Sequence, residues 1–190
     1  DKTKQNKTEQ HVKDERIQKT KMEGLRQSLM APSAGTIVML YGCFHAMGEM
    51  AKLRYAAKDE NGKPLLKHPY EPWQPIDPKH KKVTDAAYRG FKMFENVKEW
   101  TLMSVPFMWI FKLYGGCLPF VDDDMVDVAV LVSSAVYAYA TSQYISGYIE
   151  SPSKRMFGFK VRRRVCEFWL FGSVGAIVWA AAQRFGIVSS

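Results

Sequence analysis

The sequence is poor in cysteine and lacks the short motifs that mark several common chemistries. Its 3 cysteines, Cys43, Cys117 and Cys166, are far apart, and each lies in or beside an apolar stretch. This pattern excludes a disulfide framework and a CxxC metal knuckle, and it is typical of small buried hydrophobic side chains. The sequence also has no serine-histidine-aspartate set, no phosphate-binding glycine loop and no internal repeat. It therefore predicts no metal site.

Charged residues are scarce beyond Lys82, except in short clusters. Hydrophobic residues make up 47% of the chain and aromatic residues 13%, which is too apolar for a disordered protein. The formal net charge is +8, but the basic residues flank apolar runs and do not alternate with exposed aromatic residues on one polar element. The composition therefore indicates contact with membrane lipid, and no nucleic-acid partner is predicted.

Residues 1–33 differ from the rest of the chain. They are rich in lysine, glutamate, glutamine and threonine, with Met22, Leu25 and Leu29 at helical spacing. This segment is predicted to be either a charged tail or an amphipathic helix that precedes the membrane domain.

Four apolar segments follow and predict a membrane domain over residues 34–187. The clearest is 128–149, whose 22 uncharged residues are long enough to cross a hydrocarbon core of about 30 Å at about 1.5 Å per residue. The others are 34–48, extended through Arg54 by basic side chains that snorkel, and 100–121 and 165–183. The sequence therefore predicts an all-α, integral membrane bundle of four transmembrane helices.

The charges of the predicted loops alternate in sign. The loop 57–82 and the segment 150–164 are basic. The loop between the second and third predicted helices is acidic and carries Asp122, Asp123, Asp124 and Asp127. The positive-inside rule then places the two basic loops on one side of the membrane. Five prolines between residues 64 and 78 favour an extended loop, so 57–82 is predicted to be a cap and not a second domain.

A polar face is predicted on the second helix. Arg89, Lys92, Asn96 and Glu99 are separated by three, four and three residues, which places them on one side of a helix. Ionisable groups at membrane depth are costly and indicate a functional site that faces other helices or a cleft. The alternative is that this part of the helix projects above the bilayer as a solvated stalk.

The third predicted helix carries a stripe of tyrosines. Tyr137, Tyr144 and Tyr148 lie on one face, and Arg155 follows seven residues after the last of them. Tyrosines near a membrane surface also occur as simple interfacial anchors, so the stripe alone indicates little. Its combination with the polar face of the second helix is the informative pattern.

This combination resembles the family of membrane-associated proteins in eicosanoid and glutathione metabolism, most closely the branch of leukotriene C4 synthase and the 5-lipoxygenase-activating protein. The family's second helix reads arginine, three residues, asparagine, two residues, glutamate, and these places are filled here by Lys92, Asn96 and Glu99. Its third helix ends in Tyr-x-x-Gly-Tyr with an arginine seven residues later, matched here by Tyr144, Gly147, Tyr148 and Arg155. The resemblance spans about residues 34–187.

The resemblance implies a homotrimer of four-helix subunits that binds glutathione between neighbours. In that arrangement Arg155 or Arg54 stabilises the glutathione thiolate as the catalytic cation. The residues implied to bind glutathione are Arg89, Lys92, Asn96, Glu99, Tyr144 and Tyr148. Such a protein is expected in the endoplasmic reticulum or in a mitochondrial or plastid membrane.

Four departures from the family pattern leave the function open. Lys92 replaces an arginine and loses its bidentate fork, and Trp100 stands where tyrosine is common. Leu102 stands where the family has a proline, and Arg54 is the single candidate for the arginine that ends the first helix. The prediction is a glutathione-dependent transferase or peroxidase acting on a lipophilic electrophile. The alternatives are a non-catalytic accessory subunit of a large organellar membrane complex and a lipid-presenting scaffold.

Overall fold

The computed structural model of the protein describes residues 2–65, 81–151 and 153–188. It contains four α-helices, which are α1 (Lys2–Ala56), α2 (Lys81–Tyr114), α3 (Asp123–Glu150) and α4 (Met156–Arg184). A short 3-10 helix, Gly115–Cys117, follows α2. The predicted all-α class is confirmed for these residues. Most of the predicted proline-rich loop lies outside them.

The four helices run alternately up and down in one bundle. Gly35, midway along α1, lies against Met108 late in α2, whereas Leu53 near the end of α1 lies against Gly90 early in α2, so these two helices are antiparallel. The helices α3 and α4 are antiparallel too, since Gly158 at the start of α4 packs on Ala140 and Tyr144, whereas Trp169 further along α4 donates a hydrogen bond of 2.9 Å from Nε1 to Ser133 Oγ, earlier in α3. The ends of α1 and α3 and the starts of α2 and α4 therefore share one end of the bundle, which we call the Arg155 end.

Three of the helices are long and apolar enough to cross a membrane, namely α1 over Arg16–Ala56, α3 and α4. By length and composition these helices agree with three of the four predicted spans. The apolar part of α2 is shorter than predicted, because the helix ends at Tyr114 and the chain turns through the 3-10 helix before residue 121. From Trp100 to Tyr114 α2 rises only about 22 Å, less than a hydrocarbon core of about 30 Å.

The charged segment 1–33 is helical from residue 2 onward and belongs to α1. Helix α1 continues through it and through Pro32, and the first buried side chain among residues 16–56 is Ala31. Residues 16–27 of this helix are exposed. The predicted boundary at residue 33 therefore falls inside one helix that is about 80 Å long.

The start of α4 differs from the prediction. The basic residues Lys160, Arg162, Arg163 and Arg164 were expected in a loop before a helix at residue 165, but α4 begins at Met156 and contains all four. The Ser151 amide donates to the Gly147 carbonyl at 3.0 Å at the end of α3, and a turn over residues 153–155 leads into α4. Because the basic residues lie on a helix, they point in different directions. Arg162 is buried, whereas Arg163 and Arg164 are exposed.

Two apolar clusters form the core of the described residues. The cluster at the Arg155 end contains Ala46, Met93, Val97, Tyr144, Ile145 and Tyr148. The other cluster includes Met39, Met108, Val130, Tyr137 and Trp169. Large apolar side chains such as Ile37, Phe44, Val132 and Phe171 are exposed on the outside, as expected of a surface that faces lipid.

Candidate functional site

Two glycines bring the backbone segments of the site together. A Cβ atom at Gly147 would lie 2.7 Å from the carbonyl group of Lys154, so the turn after α3 can fold back only onto a residue without a side chain. This approach places the Arg155 guanidinium 4.7 Å from the centre of the Tyr148 ring. A Cβ atom at Gly158 would lie 2.4 Å from the Ala140 carbonyl oxygen, which shows how closely α4 packs on α3.

The predicted polar residues meet where α2 faces α3. Asn96 Nδ2 donates a hydrogen bond of 3.2 Å to the hydroxyl oxygen of Tyr144. The Tyr144 and Tyr148 rings lie 5.5 Å apart between centres, and Arg155 stacks on the second of them. The structure thus joins Asn96, Tyr144, Tyr148 and Arg155 into one cluster, which we call the tyrosine cluster.

Within the described part of the chain, the other four predicted site residues form no hydrogen bond, ion pair or ring contact with the tyrosine cluster. Arg89, Lys92 and Glu99 are exposed on the outward side of α2, and Asn96 is the half-buried member of that face. Lys92 Nζ lies 5.8 Å from the centre of the Tyr88 ring and 6.0 Å from that of Phe91. Arg54 is half-buried in the last turn of α1, at the Arg155 end. Within a single chain this face of α2 is therefore open.

Arg162 was not predicted, and it lies beside the tyrosine cluster. It follows Gly158 by one turn of α4, and its relative exposure is 0%. Its guanidinium carbon lies 4.5 Å from the centre of the Tyr144 ring, 5.5 Å from that of Trp100 and 5.9 Å from that of Tyr137. Aromatic faces from α2 and α3 therefore surround a cation carried by α4.

The nitrogen atoms of this guanidinium have no hydrogen-bond partner in the described part of the chain. Nε, Nη1 and Nη2 of Arg162 are all buried and unpaired. Polar side chains lie one layer further from the Arg155 end, where Ser104 Oγ and Cys166 Sγ are 2.8 Å apart and the hydroxyl groups of Thr101 and Tyr137 are 3.5 Å apart. The buried cation thus has partial compensation from ring faces and no acceptor of its own.

A signal in the sequence identifies Arg162. It shares one helical face with the buried residues Val165, Trp169, Ser173 and Ala176, at spacings of three, four, four and three. The hydropathy pattern does not show this periodicity, because the charged run 162–164 shifts the start of the predicted apolar segment to residue 165. A search for helical spacing that ignored charge would have placed Arg162 on the inner face.

The two arginines near the tyrosine cluster lie at different depths. Seven residues separate Arg155 from Arg162, which corresponds to about 10 Å along a helix axis. Arg155 stacks on Tyr148 at the end of the bundle, and Arg162 lies between Tyr144 and Tyr137, closer to its middle. The site therefore offers a half-exposed cation at its mouth and a buried one below.

The chemistry available here is the binding of an anionic, hydrogen-bonding molecule at the surface of an apolar bundle. An amide, two phenols and two guanidinium groups supply the polar contacts. Comparison of the chain with known proteins finds no matching family model and no similar curated protein. The family resemblance accordingly stays a prediction that rests on the residues quoted for it.

Proposed function

We propose that the protein is a glutathione-dependent transferase or peroxidase that acts on a lipophilic electrophile. The observation that carries this proposal is the tyrosine cluster, in which groups from α2, α3 and the following turn meet at the Arg155 end. Glutathione has two carboxylates, an amine, two amides and a thiol. A site for it needs fixed cations, an acid and neutral hydrogen-bonding groups, and this end of the bundle has all three.

The residues fit glutathione as follows. Arg155 has the planar fork that binds a carboxylate through two hydrogen bonds. Asn96 uses its amide nitrogen on Tyr144 and keeps its carbonyl oxygen for a donor of the ligand. Lys92 and Glu99, on the open face of α2, add a cation for the second carboxylate and an acid for the amine. A second copy of the chain in a homotrimer would cover this open face.

Bound glutathione supplies a sulfur nucleophile. In the transferase reaction the sulfur forms a bond to an electrophilic carbon as the leaving group departs. In the peroxidase reaction two glutathione molecules reduce a hydroperoxide to an alcohol and water and are oxidised to a disulfide. The chain's own part is to orient the ligand and to hold a cation near the sulfur, which favours the reactive thiolate. The exposed apolar side chains around the bundle allow a lipophilic partner to approach through the bilayer.

Glutathione binding to the detergent-purified protein tests this proposal. Arg155→Ala is expected to weaken binding by about 1.5–3 kcal/mol, the range for a hydrogen bond to a charged group. Arg163→Ala is the matched control, because Arg163 is exposed and pairs with Glu167 Oε1 at 2.7 Å on the outside of α4. Equal affinities in wild type and Arg155→Ala would remove the site assignment. Absence of binding at millimolar glutathione would reject the function.

The length of α1 favours a second candidate, a non-catalytic subunit of a large organellar membrane complex. The exposed helix over residues 16–27 extends beyond the part of α1 that packs in the bundle, as a contact arm would. In this alternative the bundle serves as packing material, and the tyrosine cluster binds no ligand. Gentle extraction from the native membrane separates the two. A particle much larger than a trimer, without conjugating activity, supports the subunit, and an active isolated trimer supports the enzyme.

A further inference from the structure

We infer that Arg162 is the cation that holds the sulfur of glutathione as a thiolate, while Arg155 binds a carboxylate of the same molecule. This inference rests on the proposed function and goes beyond it, because it reassigns the role that the family resemblance gives to Arg155 or Arg54. Three observations carry the inference: the unpaired burial of Arg162, its depth, and the nature of its cover.

The burial of Arg162 is unexplained by the fold alone. Its side chain is fully buried, and three nitrogen atoms lack an acceptor among the described residues. An unpaired buried charge is costly, and ring faces offset only part of that cost. Ionisable groups at membrane depth mark functional sites by default, and a guanidinium without an acceptor fits an anionic ligand group.

The depth of Arg162 in the bundle indicates that its partner in glutathione is the sulfur and not a carboxylate. The two carboxylates are strongly hydrated and belong near the mouth, where Arg155, Lys92 and Arg89 lie outside the buried core. The sulfur has to meet a partner dissolved in the bilayer, so it belongs further along the helices. Arg162 lies about 10 Å beyond Arg155 in that direction, against the ring of Tyr144.

The Trp100 ring packs over the Arg162 guanidinium. This ring lies 5.5 Å from the Arg162 guanidinium and packs edge-on against Phe159, also at 5.5 Å between ring centres. Both rings are half-buried, so they separate the guanidinium from the outside of the bundle. Displacement of the Trp100 ring would open Arg162 toward Glu99 and Asn96, which precede it on α2.

The test separates binding of glutathione from ionisation of its thiol. Glutathione affinity and the ultraviolet absorbance of the bound thiolate are measured across pH for wild type, Arg162→Met and Arg155→Met, with Arg163→Met as the control. Arg162→Met is expected to lose at least nine-tenths of the thiolate absorbance at neutral pH, together with the part of the glutathione affinity that the ionised sulfur contributes, whereas its affinity for S-methylglutathione is expected to change less than threefold. Arg155→Met is expected to lose affinity by at least tenfold. Arg162→Lys, which keeps the charge, is expected to restore part of the absorbance.

Each outcome bears on one of the two proposals. If wild type binds no glutathione, the proposed function fails, and this inference fails with it. If wild type binds and Arg162→Met keeps the thiolate, the function stands and the inference is overturned. If Arg162→Met does not assemble, affinities of wild type for glutathione and S-methylglutathione decide, because a methylated sulfur cannot ionise. A loss of at least tenfold on methylation supports the inference, and equal affinities overturn it.

Discussion

The bundle buries a cation toward each end, and the two are compensated in different ways. Far from the Arg155 end, Lys112 Nζ of α2 forms an ion pair at 2.8 Å with Asp127 Oδ1 of α3, without hydrogen-bond geometry, and the lysine side chain is 6% exposed. Near the Arg155 end, Arg162 has no carboxylate partner in the described part of the chain and is surrounded by aromatic rings. A paired buried charge links two helices and stabilises the fold. An unpaired buried charge lowers the stability through its desolvation and makes no link that the fold needs.

This comparison predicts a large loss of stability when Lys112 is replaced by methionine, and a small change or a gain when Arg162 is replaced. Breaking a buried pair leaves the partner uncompensated, which typically costs about 3–5 kcal/mol. Removing a charge that has no partner relieves its desolvation and leaves no second charge behind.

The largest effect is expected for Lys112→Met. Asp127 would keep a charge without its partner, and the free energy of unfolding is expected to fall by about 2–4 kcal/mol. This lies below the full range because the Asp127 side chain is 27% exposed. Reversible denaturation in mixed detergent micelles measures the change. The double variant Lys112→Met, Asp127→Leu is expected to recover most of it, and a double variant as unstable as the single one would show that the pair itself is not the cause.

The next effect is expected for Gly158→Ala, which tests the close approach of α4 to α3 beside Arg162. The added Cβ would meet backbone atoms of Ala140 and Tyr144 at 2.4 Å, and backbone atoms cannot rotate away. The variant is expected to lose about 1–3 kcal/mol, as overpacked cores do. Gly175→Ala, in the same helix with no atom within 4 Å of its Cβ, is the matched control and is expected to be neutral or slightly more stable. Equal stabilities of the two variants would contradict the tight packing of these helices.

The smallest effect on stability is expected for Arg162→Met. Relief of desolvation is offset by the lost contacts with three rings, so the free energy of unfolding is expected to stay within about 1 kcal/mol of wild type or to rise. The same denaturation measurement used for Lys112→Met provides the comparison. A loss as large as that of Lys112→Met would make Arg162 a structural tie between α2, α3 and α4.

Helical spacing in the sequence predicted most residues of the site at the Arg155 end, and it missed Arg162 for a reason that can be identified. Tyr137, Tyr144 and Tyr148 were predicted to share a face, and all three are buried. Asn96 belongs to a predicted polar face, and it alone of that face reaches a tyrosine of α3. Arg162 was missed because it is followed directly by two exposed arginines, and a run of three charges was interpreted from hydropathy as a loop. Helical periodicity distinguishes them, since the three residues lie about 100° apart around the axis.

The helical class, the apolar spans and the placement of both basic connections at one end follow from hydrophobic length and charge pattern. These properties depend on the composition of each segment, so they require no knowledge of neighbouring helices. The depth of Arg162, the stacking of Arg155 on Tyr148 and the shortness of the apolar part of α2 depend on how the segments pack. Gly147 and Gly158 control the first two through backbone contacts that their lack of a side chain permits. Such contacts join residues from different parts of the bundle, and one-dimensional spacing contains no information about which backbone a glycine will meet.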